Sequence, residues 1–223
     1  MPHFDAVLFD FGDTLFFRRG GPARLRELAR AAGVDPSHHD VQQLWDQVQR
    51  DARTPEALSK GRDLSREAHD REWLALYAAF DALAEGLGPA MYEDEMAPGG
   101  WVPFTDTEPT LRALRDAGVR VGVISNAGWD IRIQVDAAGL GALVDAYSLS
   151  YEVGVIKPDP KLFLHTCGQL GVVPARSLMV GDTALPDGGA LDLGMPVLLL
   201  PAAPPGGSRG LDVVLRLVGP GGA

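Results

Sequence analysis

Cysteine and lysine are nearly missing from this sequence, and so is any long hydrophobic run. The lone cysteine, Cys167, permits no internal disulfide and fits a reducing compartment. In its setting it reads as a small buried residue of a helix. Only 3 of the 223 residues are lysine, and 30 acidic side chains against 20 lysines and arginines leave a net charge of −10. Such a balance excludes a surface that tracks nucleic-acid phosphates or binds an anionic membrane. A small anionic substrate is still compatible, provided the site supplies its own positive charge. No stretch approaches the roughly 18 apolar residues of a membrane span, and no basic segment leads into an apolar run at the start, as in a secretion signal. The expectation is a cytoplasmic protein, monomeric or homodimeric, without nucleic-acid or membrane partners.

What is present is an ordinary globular composition, 46% apolar over a length that suits one large domain or a domain with an insertion. The run Ala6-Val7-Leu8-Phe9 reads as a strand buried on both faces, the kind found inside parallel sheets. It delivers Asp10 and Asp13 around Gly12, where strand propensity collapses and the chain must turn. Open α/β sheets bind ligands at such strand ends.

Beyond Leu15 the pattern changes. Arg18 and Arg19 precede Gly20-Gly21, and Pro22 opens a helix with Leu25, Leu28, Ala29 and Ala32 on one face. Val41, Leu44, Trp45 and Val48 repeat the spacing, and a third, longer helix carries Trp73, Leu76, Tyr77, Phe80, Leu83 and Leu87. The tryptophans and tyrosines read as core, the arginine pair as a solvated surface pair ahead of the alternative that it reaches a second anionic group, and His38 and His39 as part of a polar loop. Roughly 85 residues pass with no strand. Alternation then resumes: helix over 110–117, strand 119–124, helix 130–138, strand 143–149, helix from Pro158 and Pro160 to about 168, strand 177–180, short helix 184–193, strand 197–200. The Pro/Gly segment 201–210 reads as a linker before an edge strand at 211–218. The expected architecture is a doubly wound, Rossmann-like parallel α/β sheet, residues 1–15 and 104–223, interrupted by an all-helical insertion over residues 16–103.

Three further strand ends carry chemistry. The second ends in Ser125-Asn126, a hydroxyl and an amide at a strand-to-helix junction. Lys157 stands before a helix start, with Pro158 and Pro160 fixing the backbone around it. Gly181-Asp182 follows another strand, with Asp187 five residues on. Two such acids with no basic residue between them repel unless a cation joins them, and hard carboxylate oxygens suit Mg2+.

Taken in order, Asp10-Phe11-Gly12-Asp13-Thr14, Ser125, Lys157 and Gly181-Asp182 with Asp187 resemble the four motifs of the haloacid dehalogenase-like (HAD) hydrolase superfamily, phosphatase type. The insertion matches a helical cap placed between the first and second motifs. The resemblance implies that Asp10 attacks phosphorus and forms an aspartyl-phosphate. It implies Mg2+ held by Asp10, the Gly12 carbonyl, Asp182 and, directly or through water, Asp187. Lys157, Ser125 and Asn126 would bind the phosphoryl oxygens of a small phosphorylated metabolite.

The first motif departs from the family at Gly12. Phosphatases usually carry there a second aspartate that protonates the leaving group and activates water. General acid–base catalysis is worth ~10²–10⁴ in rate, so a slow phosphatase, or one limited to good leaving groups, is expected unless Asp13, a water or a cap residue takes over. After Asp187, the pair Gly189-Ala190 arrives one residue early. Alternatives from other classes are a 2-haloacid dehalogenase-type hydrolase, in which Asp10 attacks carbon without a metal, a phosphonatase using Lys60, and a protein that binds phosphate or metal without turnover.

Overall fold

A computed structural model describes residues 4–219. In chain order its elements are β1 (Ala6–Phe9), β2 (Phe16–Arg18), α1 (Gly21–Ala31), α2 (His38–Asp51), α3 (Pro55–Ser59), α4 (Arg66–Tyr77), α5 (Leu87–Met96) and β3 (Trp101–Pro103). There follow α6 (Thr107–Asp116), β4 (Arg120–Ser125), α7 (Arg132–Ala137), β5 (Ala146–Leu149), α8 (Ser150–Val153), α9 (Pro160–Leu170), β6 (Ser177–Gly181), α10 (Ala184–Gly188), β7 (Val197–Leu199) and α11 (Asp212–Val218).

Five strands form one parallel sheet in the order β5-β4-β1-β6-β7, as the apolar runs require. β1 is central and buried throughout, because Val7 and Phe9 face one helical layer while Ala6 and Leu8 face the other. The first layer contributes Leu111 and Leu114 of α6, Val135 of α7, and Val214 and Val218 of α11. Across the sheet, Leu162, Phe163, Cys167 and Leu170 of α9 pack on Leu8 and Ile124. Each fully buried large side chain contributes roughly 1.5–3 kcal/mol. Strand order reverses at β1, so its C-terminal end opens the crevice in which such sheets take ligands.

The segment between β2 and β3 has its own apolar centre, formed by Leu25, Val41, Val48, Tyr77, Phe80 and Met91 among others. It differs from expectation in two respects. It is not free of strands, since β2 and β3 pair antiparallel at its root. Its third helix is not continuous: α4 ends at Tyr77, a 3-10 turn covers Ala78–Ala82, and α5 starts at Leu87. Gly86 takes φ +82°, and a Cβ at Gly88 would lie 2.6 Å from the Tyr77 carbonyl oxygen, so the chain doubles back where the two glycines allow close packing.

The expected edge strand at 211–218 is instead α11. Leu211, Val214 and Val218 are buried at helical spacing, and the Asp106 carboxylate accepts from the amides of Arg209, Gly210 and Leu211, each at 2.8 Å, just ahead of the helix. Among the described residues no helix is long and apolar enough to cross a membrane.

The insertion rests on the sheet domain through His69. Its ring lies 4.7 Å from that of Trp129, and a Cβ at Gly128 would fall 2.5 Å from the His69 Cβ and 2.3 Å from the Arg62 carbonyl oxygen. Both ring nitrogens are buried without a hydrogen-bond partner among the described residues. Burial pushes the imidazole down to about 4. Below its ordinary value near 6.5 the unfolded chain binds the extra proton first, so stability falls as pH drops from about 6.5 to about 4. His69→Phe is expected to remove roughly 2.5 kcal/mol of that acid-side loss, read as the wild-type minus variant difference in urea unfolding free energy between pH 7 and pH 4.5. An equal loss in both proteins would exclude His69 as its source.

Candidate active site

Each chemical group lies where its strand stops. Asp10 follows β1, its amide donating to the Val180 carbonyl at 2.9 Å, and its Oδ1 accepts from the Phe11 amide at 2.8 Å. Lys157 comes from the loop ahead of α9, and its Nζ lies 2.8 Å from Asp10 Oδ1 and 2.7 Å from Asp187 Oδ1. Asp187 Oδ2 accepts from the amides of Asp182 at 3.1 Å and Thr183 at 3.0 Å. That carboxylate would overlap any Cβ at Gly181, only 2.1 Å away, which explains glycine before Asp182.

The ammonium group therefore sits between two carboxylates, 3% exposed. Burial works against its charge, but Asp10 and Asp187 outweigh that and hold Lys157 above its ordinary value. Asp10 fares worse. Burial pushes it up to about 7 against the pull of Lys157, with Asp187 adding repulsion. Burial, Asp13 and Asp187 likewise raise Asp182, whose side chain makes no hydrogen bond or ion pair among the described residues. Lys157, with Arg209 also pulling on Asp182, does not cancel the burial and repulsion that raise it.

A cation would. Asp10, Asp182 and Asp187 each bring a carboxylate oxygen within 4.8 Å of the others, and hard oxygens at such spacing suit Mg2+. Asp10, Asp182 and the backbone of Gly12 could hold the ion, with Asp187, whose oxygens already accept hydrogen bonds, reaching it directly or through water. Asp187 is placed to act through Lys157.

Beside Asp10 opens a cavity of about 210 Å³ lined by Gly12, Ser125, Asn126 and Lys157, with Trp101 and Trp129 as walls. Ser125 and Lys157 can meet a tetrahedral anion there. Asn126 holds the lysine loop: its Oδ1 accepts from the Lys157 amide at 2.7 Å and its Nδ2 donates to the Lys157 carbonyl at 3.3 Å. Asp13, whose φ of +52° is the one positive value at a non-glycine described residue, lines a different cavity.

Several contributors escape sequence reasoning. Trp101, at the root of the insertion, and Trp129, in the loop after β4, both wall the site. Arg209, inside the expected Pro/Gly linker, is buried and donates from Nε to the Asp13 carbonyl at 2.5 Å and from Nη2 to the Leu200 carbonyl at 3.3 Å, tying the turn after β1 to the end of β7. A single arginine in a Pro/Gly run was the available signal. Arg18 is not a solvated surface residue. Its Nε lies 2.9 Å from the buried Glu95 carboxylate, while Arg19 is half exposed. Lys60 pairs with Glu72 at 3.4 Å outside the cavity, and His38 and His39 open α2 behind the Ser37 cap.

The haloacid dehalogenase-like hydrolase family model matches residues 4–191. The chain is 32% identical to haloacid dehalogenase-like hydrolase domain-containing protein 3 of Mus musculus, over 94% of this chain and 85% of the relative. It is 30% identical to a glyceraldehyde 3-phosphate phosphatase of Methanothermobacter thermautotrophicus, over 87% and 84% of the two chains. Among solved structures, a HAD phosphatase from Thermococcus onnurineus matches with a TM-score of 0.63 at 26% identity, covering 96% of this chain and 98% of that one. A dehalogenase gives 0.70 at 20% identity, covering 99% of each chain, a likeness of fold alone.

Proposed function

The chain belongs to the haloacid dehalogenase-like hydrolase family, and on that footing we propose that it is a Mg2+-dependent phosphatase of a small phosphorylated metabolite, with Asp10 as nucleophile. The observation that carries this reading is Asp182. A desolvated carboxylate beside Asp10, with no hydrogen-bond or ion-pair partner among the described residues, serves a metal-assisted reaction and has no use in a metal-free attack on carbon. Relatives named as phosphatases support the same choice.

Asp10 attacks phosphorus as the ester P–O bond breaks, the leaving oxygen departing as phenoxide or taking a proton from water, and a second water then cleaves the aspartyl-phosphate to inorganic phosphate and free Asp10. Lys157 binds a phosphoryl oxygen while holding Asp10 in line, and Asp187 keeps Lys157 charged and aimed. Ser125 donates to a second oxygen. Mg2+ on Asp10, Asp182 and the Gly12 carbonyl would screen the repulsion between nucleophile and phosphate and stabilise transition-state charge. Residues 16–103 act as a cap over the core formed by residues 1–15 and 104–223, excluding water through Trp101 and Trp129. The enzyme works in the cytoplasm.

Purified protein is expected to hydrolyse an aryl phosphate with Mg2+ and to lose that activity in EDTA. Turnover of 2-chloropropionate in EDTA would select the carbon-attacking reaction instead. A melting temperature raised by Mg2+, with no phosphate ester turned over, would select a binding protein.

A further inference from the structure

A second, larger cavity of about 400 Å³ opens between the insertion and the Asp13 and Pro205 loops of the core, and shares Trp101 with the Asp10 cavity. Its walls include Arg18, Arg19, Arg53 and Arg62 against the single carboxylate of Asp13, an inverted balance in a chain of net charge −10. We propose that this cavity is the leaving-group subsite, and that it takes a second anionic group, a carboxylate or a second phosphate, on the substrate whose phosphoryl group meets Asp10. The inference rests on the phosphatase reading and narrows its substrate class.

Three buried donors on these walls have no acceptor among the described residues: Arg62 Nε, Gln49 Nε2 and Trp101 Nε1. A buried donor left unmade costs about 1–3 kcal/mol, so a small side-chain shift that brings one of these wall residues' donors to a ligand acceptor is favoured. Charge points the same way. Glu95 answers Arg18 at 2.9 Å, whereas the nearest carboxylate to Arg62 is Asp63 at 3.9 Å, beyond hydrogen-bond reach. Arg62 is only 8% exposed, so its charge is neither solvated nor well paired.

The guanidinium groups are held rather than loose. Arg62 donates to the Ala52 carbonyl at 2.6 Å and lies 4.9 Å from the Trp73 ring centroid. Arg18 lies 5.3–5.8 Å from the centroids of Trp45, Trp73 and Trp101. These indole faces are occupied by arginine, which argues for an anion rather than an aromatic leaving group. Trp101 walls both cavities, so the two are neighbours.

Non-hydrolysable phosphonates separate the possibilities. With Mg2+ present, calorimetry would compare ω-phosphonocarboxylates of graded chain length, bisphosphonates of matched length and neutral-tailed alkylphosphonates. At one length the doubly anionic ligand is expected to bind roughly tenfold tighter or more, and Arg62→Met is expected to collapse that preference. Gln49→Leu, at a half-buried position, should reduce it and serves if Arg62→Met fails to fold. A stronger carboxylate or a stronger bisphosphonate tells which anion the site takes, and either result supports the subsite. Equal binding of anionic and neutral tails, or a preference that both variants leave intact, overturns it while leaving the phosphatase reading standing. Failure of every phosphonate to bind, together with no aryl phosphate hydrolysis, overturns that reading and the subsite with it.

Discussion

Asp10→Asn is expected to lower aryl phosphate hydrolysis by roughly 10⁴-fold or more, the scale seen when a covalent nucleophile is removed, and to do so without destabilising the fold. The amide keeps the shape of the side chain and can still accept from the Phe11 amide. It loses the charge that attacks phosphorus. The stability half of the expectation follows from crowding: Lys157 is shared by the buried Asp187 and the part-buried Asp10, with Asp182 partly desolvated beside them. Burial already works against an ionised Asp10, so neutralising it relieves repulsion, and the melting temperature measured without metal should hold or rise. Lys157→Met is the contrasting control. It strands two carboxylates with no cation, and breaking a buried pair in this way typically costs about 3–5 kcal/mol. An Asp10→Asn protein that melts far below wild type would mean that the residue holds the fold together. Retained Mg2+-dependent turnover would remove Asp10 from the chemistry.

That pairing of activity with local instability is common where a site is built for reaction rather than for packing. Here it has a geometric cause. β1 lies at the middle of the sheet, between β4 and β6, so the Asp10, Ser125 and Gly181 ends are neighbours, and the loop before α9 adds Lys157. Dispersing the four groups over edge strands would ease the repulsion and lose the convergence.

How far this was legible before the structure depends on the range of the interactions involved. β1, β4 and β6 announce themselves because each is an unbroken apolar run that stops at a polar group, and α9 because Pro160 opens it. Local pattern fails where the partner is remote. Phe16–Arg18 becomes a strand only by pairing with Trp101–Pro103 across the whole insertion. The stretch after Gly210 becomes a helix because Asp106 accepts from its leading amides. Arg18 reads as a surface arginine until the folding of the insertion buries it among indoles, with Arg62 over the same Trp73 ring. Gly189-Ala190, one residue early by the family's spacing, lies where α10 tightens into a 3-10 turn. Gly189 packs there so closely on Pro158 that a Cβ would fall 2.4 Å from the proline ring.

Gly12→Asp is expected to raise turnover of alkyl phosphates by about 10²–10⁴ and to raise it far less for aryl phosphates. Gly12 lines the cavity that holds Asp10, Ser125 and Lys157, and its backbone lies outside the left-handed region. A Cβ there meets only the Trp101 ring, at 3.5 and 3.7 Å, which is ordinary contact. An added carboxyl is therefore accommodated on the side of the cavity where a leaving group departs. An alkoxide needs that proton and a good aryl leaving group does not, so the diagnostic quantity is the alkyl-to-aryl ratio of kcat/KM. Asp13 lines the neighbouring arginine cavity and not the Asp10 cavity. It also sits at φ +52°, which costs an L-residue about 1–2 kcal/mol, less for aspartate with its local hydrogen bonds. Adding Asp13→Gly should recover part of the stability lost to a further carboxylate near Asp10 and Asp182, while leaving the raised ratio in place. An unchanged ratio in both variants would mean that another group already delivers the proton, and that Gly12 marks a different acid rather than a missing one.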